Sequence, residues 1–416
     1  MTTAEGSGGT PAANAPRRPR TRRSADAPVG VTVDPPPTVI DDAPEVRVTE
    51  SVPTQKSRAR TPRRTGATIA VTGAAGVIGA ALLTRLLDSD EVGKVLAIDI
   101  RRGGIDGPTW RIGDVRDPVL AQRLSGVDAL VHLAVDWALE TPTAVRAELN
   151  VRGTQTAVTA AAAAGVRRVV VVTSSAVYGA FADNPVPVPE DAPLRAVPEG
   201  IVADLLEIER VAADARRVHP GLDVVVVRPA PLVGRGVDTL VTRHFAAPRL
   251  LRIKESSPAW QFCHVDDLAT ALEYAALGKV SGAVTCGSDG YLTQQRVEDV
   301  SGMKQVEVSE SFAVATAERL HRVGITPAPA SELAYVMHPL VVPSTALRAA
   351  GWTASHDNED NLRSVLDAVS GERAIAGRRI GTRDAAVAGA SAAGATVAVL
   401  GAAAFVRAAR RARGGR

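Results

Sequence analysis

From residue 67 onward, apolar runs with β-branched density alternate with stretches whose apolar positions recur at helical spacing, and the first such repeat organises the chain. Thr68-Ile69-Ala70-Val71 has the character of a buried strand and runs into the glycine-rich segment Thr72-Gly73-Ala74-Ala75-Gly76-Val77-Ile78-Gly79. The spacing predicts a helix over Val77 to Leu87 and a second strand over Lys94 to Asp99. The three pieces make a βαβ unit. Gly73 permits the tight turn, Gly76 admits a pyrophosphate close to the backbone, and Gly79 lets the helix pack on the strand. Free N–H groups at the start of that helix, Val77 and Ile78 included, then face the phosphates.

Asp99 follows the last glycine by about 20 residues, the separation at which an acid accepts hydrogen bonds from an adenosine ribose. A carboxylate there repels a 2′-phosphate, so the expected cofactor is NAD rather than NADP. Arg101 and Arg102 lie on the adenine face or neutralise a phosphate. Further along, Trp110 to Asp114 and Val127 to Val135 read as strands, Glu148 begins an alanine-rich helix that stops at Gly165, and Arg168 to Ser175 reads as a central strand. Alternation of this kind predicts an α/β fold, a Rossmann-type doubly wound parallel sheet covered on both faces. Polar residues emerge at the C-terminal end of the central strand, the edge where open sheets bind ligands.

At this point the chain, from about residue 67 to 369, resembles the extended short-chain dehydrogenase/reductases, the NAD-dependent epimerase/dehydratase family. Gly73 to Gly79 matches the GxxGxxG of that family, Asp114-Val115-Arg116-Asp117 its adenine border, and His132-Leu133-Ala134 the strand end under the cofactor. Asn150 matches a helix asparagine, and Thr173-Ser174-Ser175-Ala176-Val177-Tyr178-Gly179 the strand with the catalytic Ser or Thr. Arg228-Pro229-Ala230-Pro231-Leu232-Val233-Gly234 resembles RPxxxxG near the nicotinamide, Phe262 to Leu268 the FxHVDD motif, and Leu347 to Trp352 the later LGW. The resemblance implies redox or epimerase chemistry on a nucleotide-sugar-like or other hydroxyl/carbonyl small molecule. It also implies a small C-terminal substrate lobe, mainly 180–200, 231–262 and 285–350, with loops Phe181 to Pro198 and Val233 to Trp260 holding the substrate. A homodimer is compatible with it.

One departure bears on chemistry. The family pairs its Ser or Thr with Tyr-x-x-x-Lys on the next long helix, where an ammonium lowers a phenol pKa of about 10. Those places fall on Ile201 and Leu205, and the chain has no tyrosine between Tyr178 and Tyr274 and no lysine between Lys94 and Lys254. Four apart on a helix, Ile201 and Leu205 share one face and make that side of the cleft apolar. Asp204 is the nearest substitute, with Tyr178 and His264 more distant. Against these stand plainer roles: Asp204 as a solvated helix residue, Tyr178 as strand-end packing, His264 as a satisfied loop histidine. Ser174 either bonds a substrate oxygen or caps the turn after it. The rival to an enzyme is a catalytically degenerate NAD-sensing or scaffold protein.

Bulk properties narrow the picture further. With 48 Lys and Arg against 45 Asp and Glu the net charge is +3, which gives no global field for nucleic acid. Cys263 and Cys286 form no CxxC, so neither a disulfide framework nor a metal site is expected. No apolar leader opens the chain, and the expected location of the domain is cytoplasmic. Residues 1–66, rich in Pro and Arg, are expected to be a disordered tail. Residues 371–416 read as a linker plus an uncharged stretch, 385–406, that meets the ~20-residue length of a membrane helix. Arginines flank it on both sides, against the positive-inside tendency, and the alternative is an alanine-rich helix on the domain or the membrane surface.

Overall fold

The computed structural model describes residues 66–379 apart from Leu139 and Pro327, with side chains described as far as residue 369. The expected tail and the stretch 385–406 lie outside the described residues. Among those described, no helix is long and apolar enough to cross a membrane.

Six strands open the fold: β1 (Ala67–Thr72), β2 (Val92–Asp99), β3 (Thr109–Ile112), β4 (Ala129–His132), β5 (Arg168–Val172) and β6 (Asp223–Pro229). With the strand Ala283–Cys286 they form one seven-stranded sheet in the order β3, β2, β1, β4, β5, β6, Ala283–Cys286. Every pairing in it is parallel. The expected doubly wound sheet is therefore present. Its central strands are apolar on both faces: Ile69 and Val71 pack into one core layer, Ala70 and Leu130 into the other. Chain order reverses between β1 and β4, and there the crevice outside the strand ends is free to hold a ligand.

Helix α1 (Val77–Asp88) follows β1 directly and buries Leu82, Leu83 and Leu86. The alanine-rich helix is interrupted: Glu148–Arg152 forms a π-helical turn before Gly153–Ala163. A 19-residue helix, Gly200–Val218, packs its apolar face, Leu205, Ile208 and Ala212, on the sheet layer of Val224 and Val226.

A second core lies toward the C-terminus, built on Phe245, Trp260, Phe262, Val306, Val336 and Leu362. Three short strand pairs frame it: Leu232–Val233 with Cys263–His264, Ala259–Trp260 with Leu292–Thr293, and Leu250–Ile253 with Gln305–Val308. Strands of two to four residues leave little periodic signal, which is why this lobe is legible only as a region in the sequence.

Candidate active site

A cavity of about 390 Å3 opens at the switch point. One wall is the glycine turn: Gly73, Gly76, Val77, Ile78 and Gly79 all line it. Gly73 has φ +65°, and a Cβ there would stand 2.5 Å from the Leu133 carbonyl oxygen. A Cβ on Gly79 would stand 2.4 Å from the Gly73 oxygen, so this glycine fixes the contact of α1 with β1. At Gly76 the only near atom is the Gly73 oxygen, at 3.3 Å. Gly76 is also the N-cap of α1 and gives no side-chain cap, so the first N–H groups of the helix open toward the cavity. This edge fits the phosphates of a dinucleotide: uncapped donors, the positive end of a helix, and no side chain in the way.

Leu133, Thr173, Ser174 and Pro229 line the cavity. Thr173 turns its hydroxyl away, donating to Glu209 Oε1 at 2.8 Å. Ser174 Oγ accepts from the Ala176 N–H at 3.2 Å and so caps the turn while its own proton remains available to a ligand. Ile201, Val202 and Leu205 add apolar lining to the cavity.

Other expected site residues stand behind the lining. Asp99 Oδ2 accepts from the Ala75 N–H at 3.0 Å and Oδ1 from the Arg101 N–H at 3.3 Å, while Arg101 Nη2 donates to the Ala75 carbonyl at 3.1 Å. The acid and the arginine thus hold the glycine turn in shape. Asp114 is clasped by Arg116, Nη2 to Oδ2 2.6 Å, which keeps its carboxyl below the ordinary carboxylate range. Val115 is buried in the core beneath Gly153, and Ala134 packs against the same layer. Asn150 accepts from the Asp136 N–H at 2.7 Å and donates back to its carbonyl, which fixes the loop after β4.

The three expected substitutes for the acid/base pair are all engaged. Asp204 is not a solvated helix residue: it is 4% exposed and accepts from Arg146 Nε at 2.8 Å and Asn150 Nδ2 at 3.1 Å. The helix turns it inward, where a buried guanidinium meets it. Tyr178 donates to the Glu190 carbonyl at 2.7 Å and accepts from Arg228 Nη1 at 2.8 Å. Burial raises the pKa of its phenol, the opposite of what a base needs. Arg228 in turn grips Glu209 through two hydrogen bonds of 2.8 Å. His264 caps the helix Val265–Ala276.

Two groupings were not apparent from sequence spacing. His264, Asp266 and His356 converge, with ligand atoms within 4.8 Å of one another. The two imidazoles are stacked, centroids 3.8 Å apart and planes 24° from parallel, so one ion cannot lie in both ring planes without reorienting a ring. The second grouping is Glu332 and Tyr335, on the seven-residue 3-10 helix Ala330–Val336, which line the same cavity as the glycine turn. A lone glutamate between alanines and prolines carries no periodic or motif signal, and only the tertiary fold delivers it here.

A parallel sheet with this strand order, a glycine turn at its switch point and an acid at the end of β2 define a Rossmann-type dinucleotide-binding protein. More particularly, the sequence model of the NAD dependent epimerase/dehydratase family matches residues 69–285, and the chain belongs to that family. Rv0501, an uncharacterized protein of Mycobacterium tuberculosis, is 30% identical over 315 residues, 71% of this chain and 83% of that protein. The uncharacterized protein y4nG of Sinorhizobium fredii is 27% identical over 330 residues, 76% and 82% of the two chains. Among solved structures, DesIV, a dTDP-glucose 4,6-dehydratase from Streptomyces venezuelae with NAD bound, superposes with a TM-score of 0.57. Identity is 24%, covering 74% of this chain and 98% of that one, and the likeness speaks for the fold alone.

Proposed function

We propose that this chain binds NAD across the switch point and carries out oxidoreductase or epimerase chemistry on a nucleotide-sugar-like or other hydroxyl/carbonyl substrate without the Tyr/Lys pair of its family. The observation that carries this reading is the uncapped N-terminus of α1, which opens with Gly76 onto the 390 Å3 cavity. When bound, NAD supplies a hydride acceptor or donor at its nicotinamide ring. Gly76 and the first turn of α1 hold the pyrophosphate, Asp99 the adenosine ribose, and Pro229 and Ser174 flank the nicotinamide. Ser174 orients a substrate oxygen with its hydroxyl proton. Ile201 and Leu205 keep water from that end of the cleft. We assign the remainder of the substrate to a neighbouring groove of about 960 Å3, whose lining includes His321, Arg322 and His338.

A second reading, an NAD-sensing or scaffold protein without turnover, is favoured by the apolar residues Ile201 and Leu205 in the cavity wall. Thermal-shift titration of the purified full chain with NAD and NADP tests both readings at once: stabilisation by NAD is expected, and its absence with either nucleotide refutes them. Reduction of bound NAD by a member of a panel of nucleotide sugars and alcohols selects the enzyme, and none selects the sensor.

A further inference from the structure

With Asp204, Tyr178 and His264 all engaged, the apolar end of the cleft still needs a group to manage a substrate proton. We infer that Glu332 is that group, the acid and base acting on the oxygen of a substrate held beside Ser174; the inference rests on the NAD reading above. Glu332 is 4% exposed, and neither carboxyl oxygen has a hydrogen-bond partner. It lines the same cavity as Ser174, Ile201 and Leu205. A buried carboxyl without partners carries a desolvation cost that a purely structural residue has no reason to retain.

The fold makes room for it. A Cβ on Gly200 would stand 2.7 Å from Glu332 Oε1, so the glycine that opens the helix Gly200–Val218 leaves the space this carboxyl uses. Gly200 has φ +56°, a conformation glycine adopts without strain. The charged groups around Glu332 are each held in another pair, although the buried Nη2 of Arg146 has no hydrogen-bond partner. Arg146 is paired with Asp204, Arg243 with Asp238 and Glu140, and Glu199 accepts from Ser331. Tyr335, three residues on, donates to the Ala176 carbonyl at 2.9 Å. Burial of the carboxyl outweighs the attraction of Arg146 and Arg243 and lifts its pKa to about 7. Both protonation states are then populated near neutral pH, the condition under which one group serves as base in one direction and acid in the other. Tyr335 is unsuited to the task, because burial and the nearby Glu332 push its phenol up.

In the oxidative direction the substrate O–H bond breaks as the Glu332 O–H bond forms. The electron pair left by the O–H bond becomes the new C=O bond as the carbinol hydrogen leaves as hydride, taking the C–H pair to bound NAD, the oxidant. The products are a carbonyl, NADH and a protonated Glu332; the reverse restores the alcohol.

The test uses binding rather than turnover. The nicotinamide ring of NAD is positive and that of NADH is neutral, so NAD favours ionised Glu332. Calorimetric titration of the full chain in two buffers of different protonation enthalpy should show proton release with NAD and none with NADH. NAD affinity should rise about tenfold between about pH 6 and pH 8, and Glu332→Gln should abolish both responses while still binding NAD. Wild type that binds NAD with equal affinity across that range, or Glu332→Gln that keeps the response, overturns the inference. If the variant does not fold, the wild-type profile decides alone. Failure of NAD to bind at every pH refutes instead the reading on which the inference rests.

Discussion

Asp204 and Arg146 form an ion pair inside the protein, Nε to Oδ2 2.8 Å, with side-chain exposures of 5% and 4%. A buried pair of this kind is weak evidence of net stability, but breaking it strands one charge. Asp204→Ala should therefore lower stability by about 3–5 kcal/mol in urea unfolding, and Arg146→Met added to it should recover much of that loss. An Asp204 that worked chemically rather than structurally would leave the unfolding midpoint almost unmoved.

The two nearby glycines should fail differently. Gly76→Val meets only the Gly73 oxygen, 3.3 Å from its Cβ, so the fold should persist while NAD affinity drops at least about tenfold as the pyrophosphate loses its approach. Gly79→Ala collides with the Gly73 carbonyl at 2.4 Å and should cost about 1–3 kcal/mol of stability before any binding defect is measured. Circular-dichroism melts beside NAD titrations separate the two.

His132 and His244 are buried and held neutral, each with its pKa lowered to about 4 by desolvation. The folded pKa lies below the unfolded value of about 6.5, so their stabilising effect is complete above about pH 6.5 and declines as pH falls toward 4. The loss is about 3 kcal/mol per histidine across that window. His244, with neither ring nitrogen bonded, is the cleaner probe: His244→Phe should flatten the acid limb of a Tm against pH curve.

Asp99→Ser should narrow the discrimination between NAD and NADP at least about tenfold, since the repulsion of a 2′-phosphate disappears. Because the same carboxylate accepts from the Ala75 N–H, the variant should also weaken binding of both nucleotides. Unchanged selectivity in competitive titrations would remove Asp99 from the ribose.

The βαβ opening, the strand order and the glycine wall were legible in the sequence because each rests on local periodicity or on a turn that only glycine can make. The positions of Ile201 and Leu205 in the cleft wall followed from counting along one helix. What the sequence did not disclose depends on long-range placement. Asp204 reads as a surface acid until Arg146, from another helix, is folded against it. Glu332 stands more than a hundred residues from Ser174, in a lobe of strands two to four residues long whose register no pattern specifies. Val115 and Asn150 occupy motif positions, yet their side chains serve packing and loop support.

The space at Gly200 carries a consequence for descent. Any side chain at that position would displace the carboxyl 2.7 Å away, so the two sites, 132 residues apart, are constrained to evolve as one character. Among homologues, a glutamate at the later site should be found with glycine at the earlier one, and lineages that enlarged the glycine should have exchanged the acid as well.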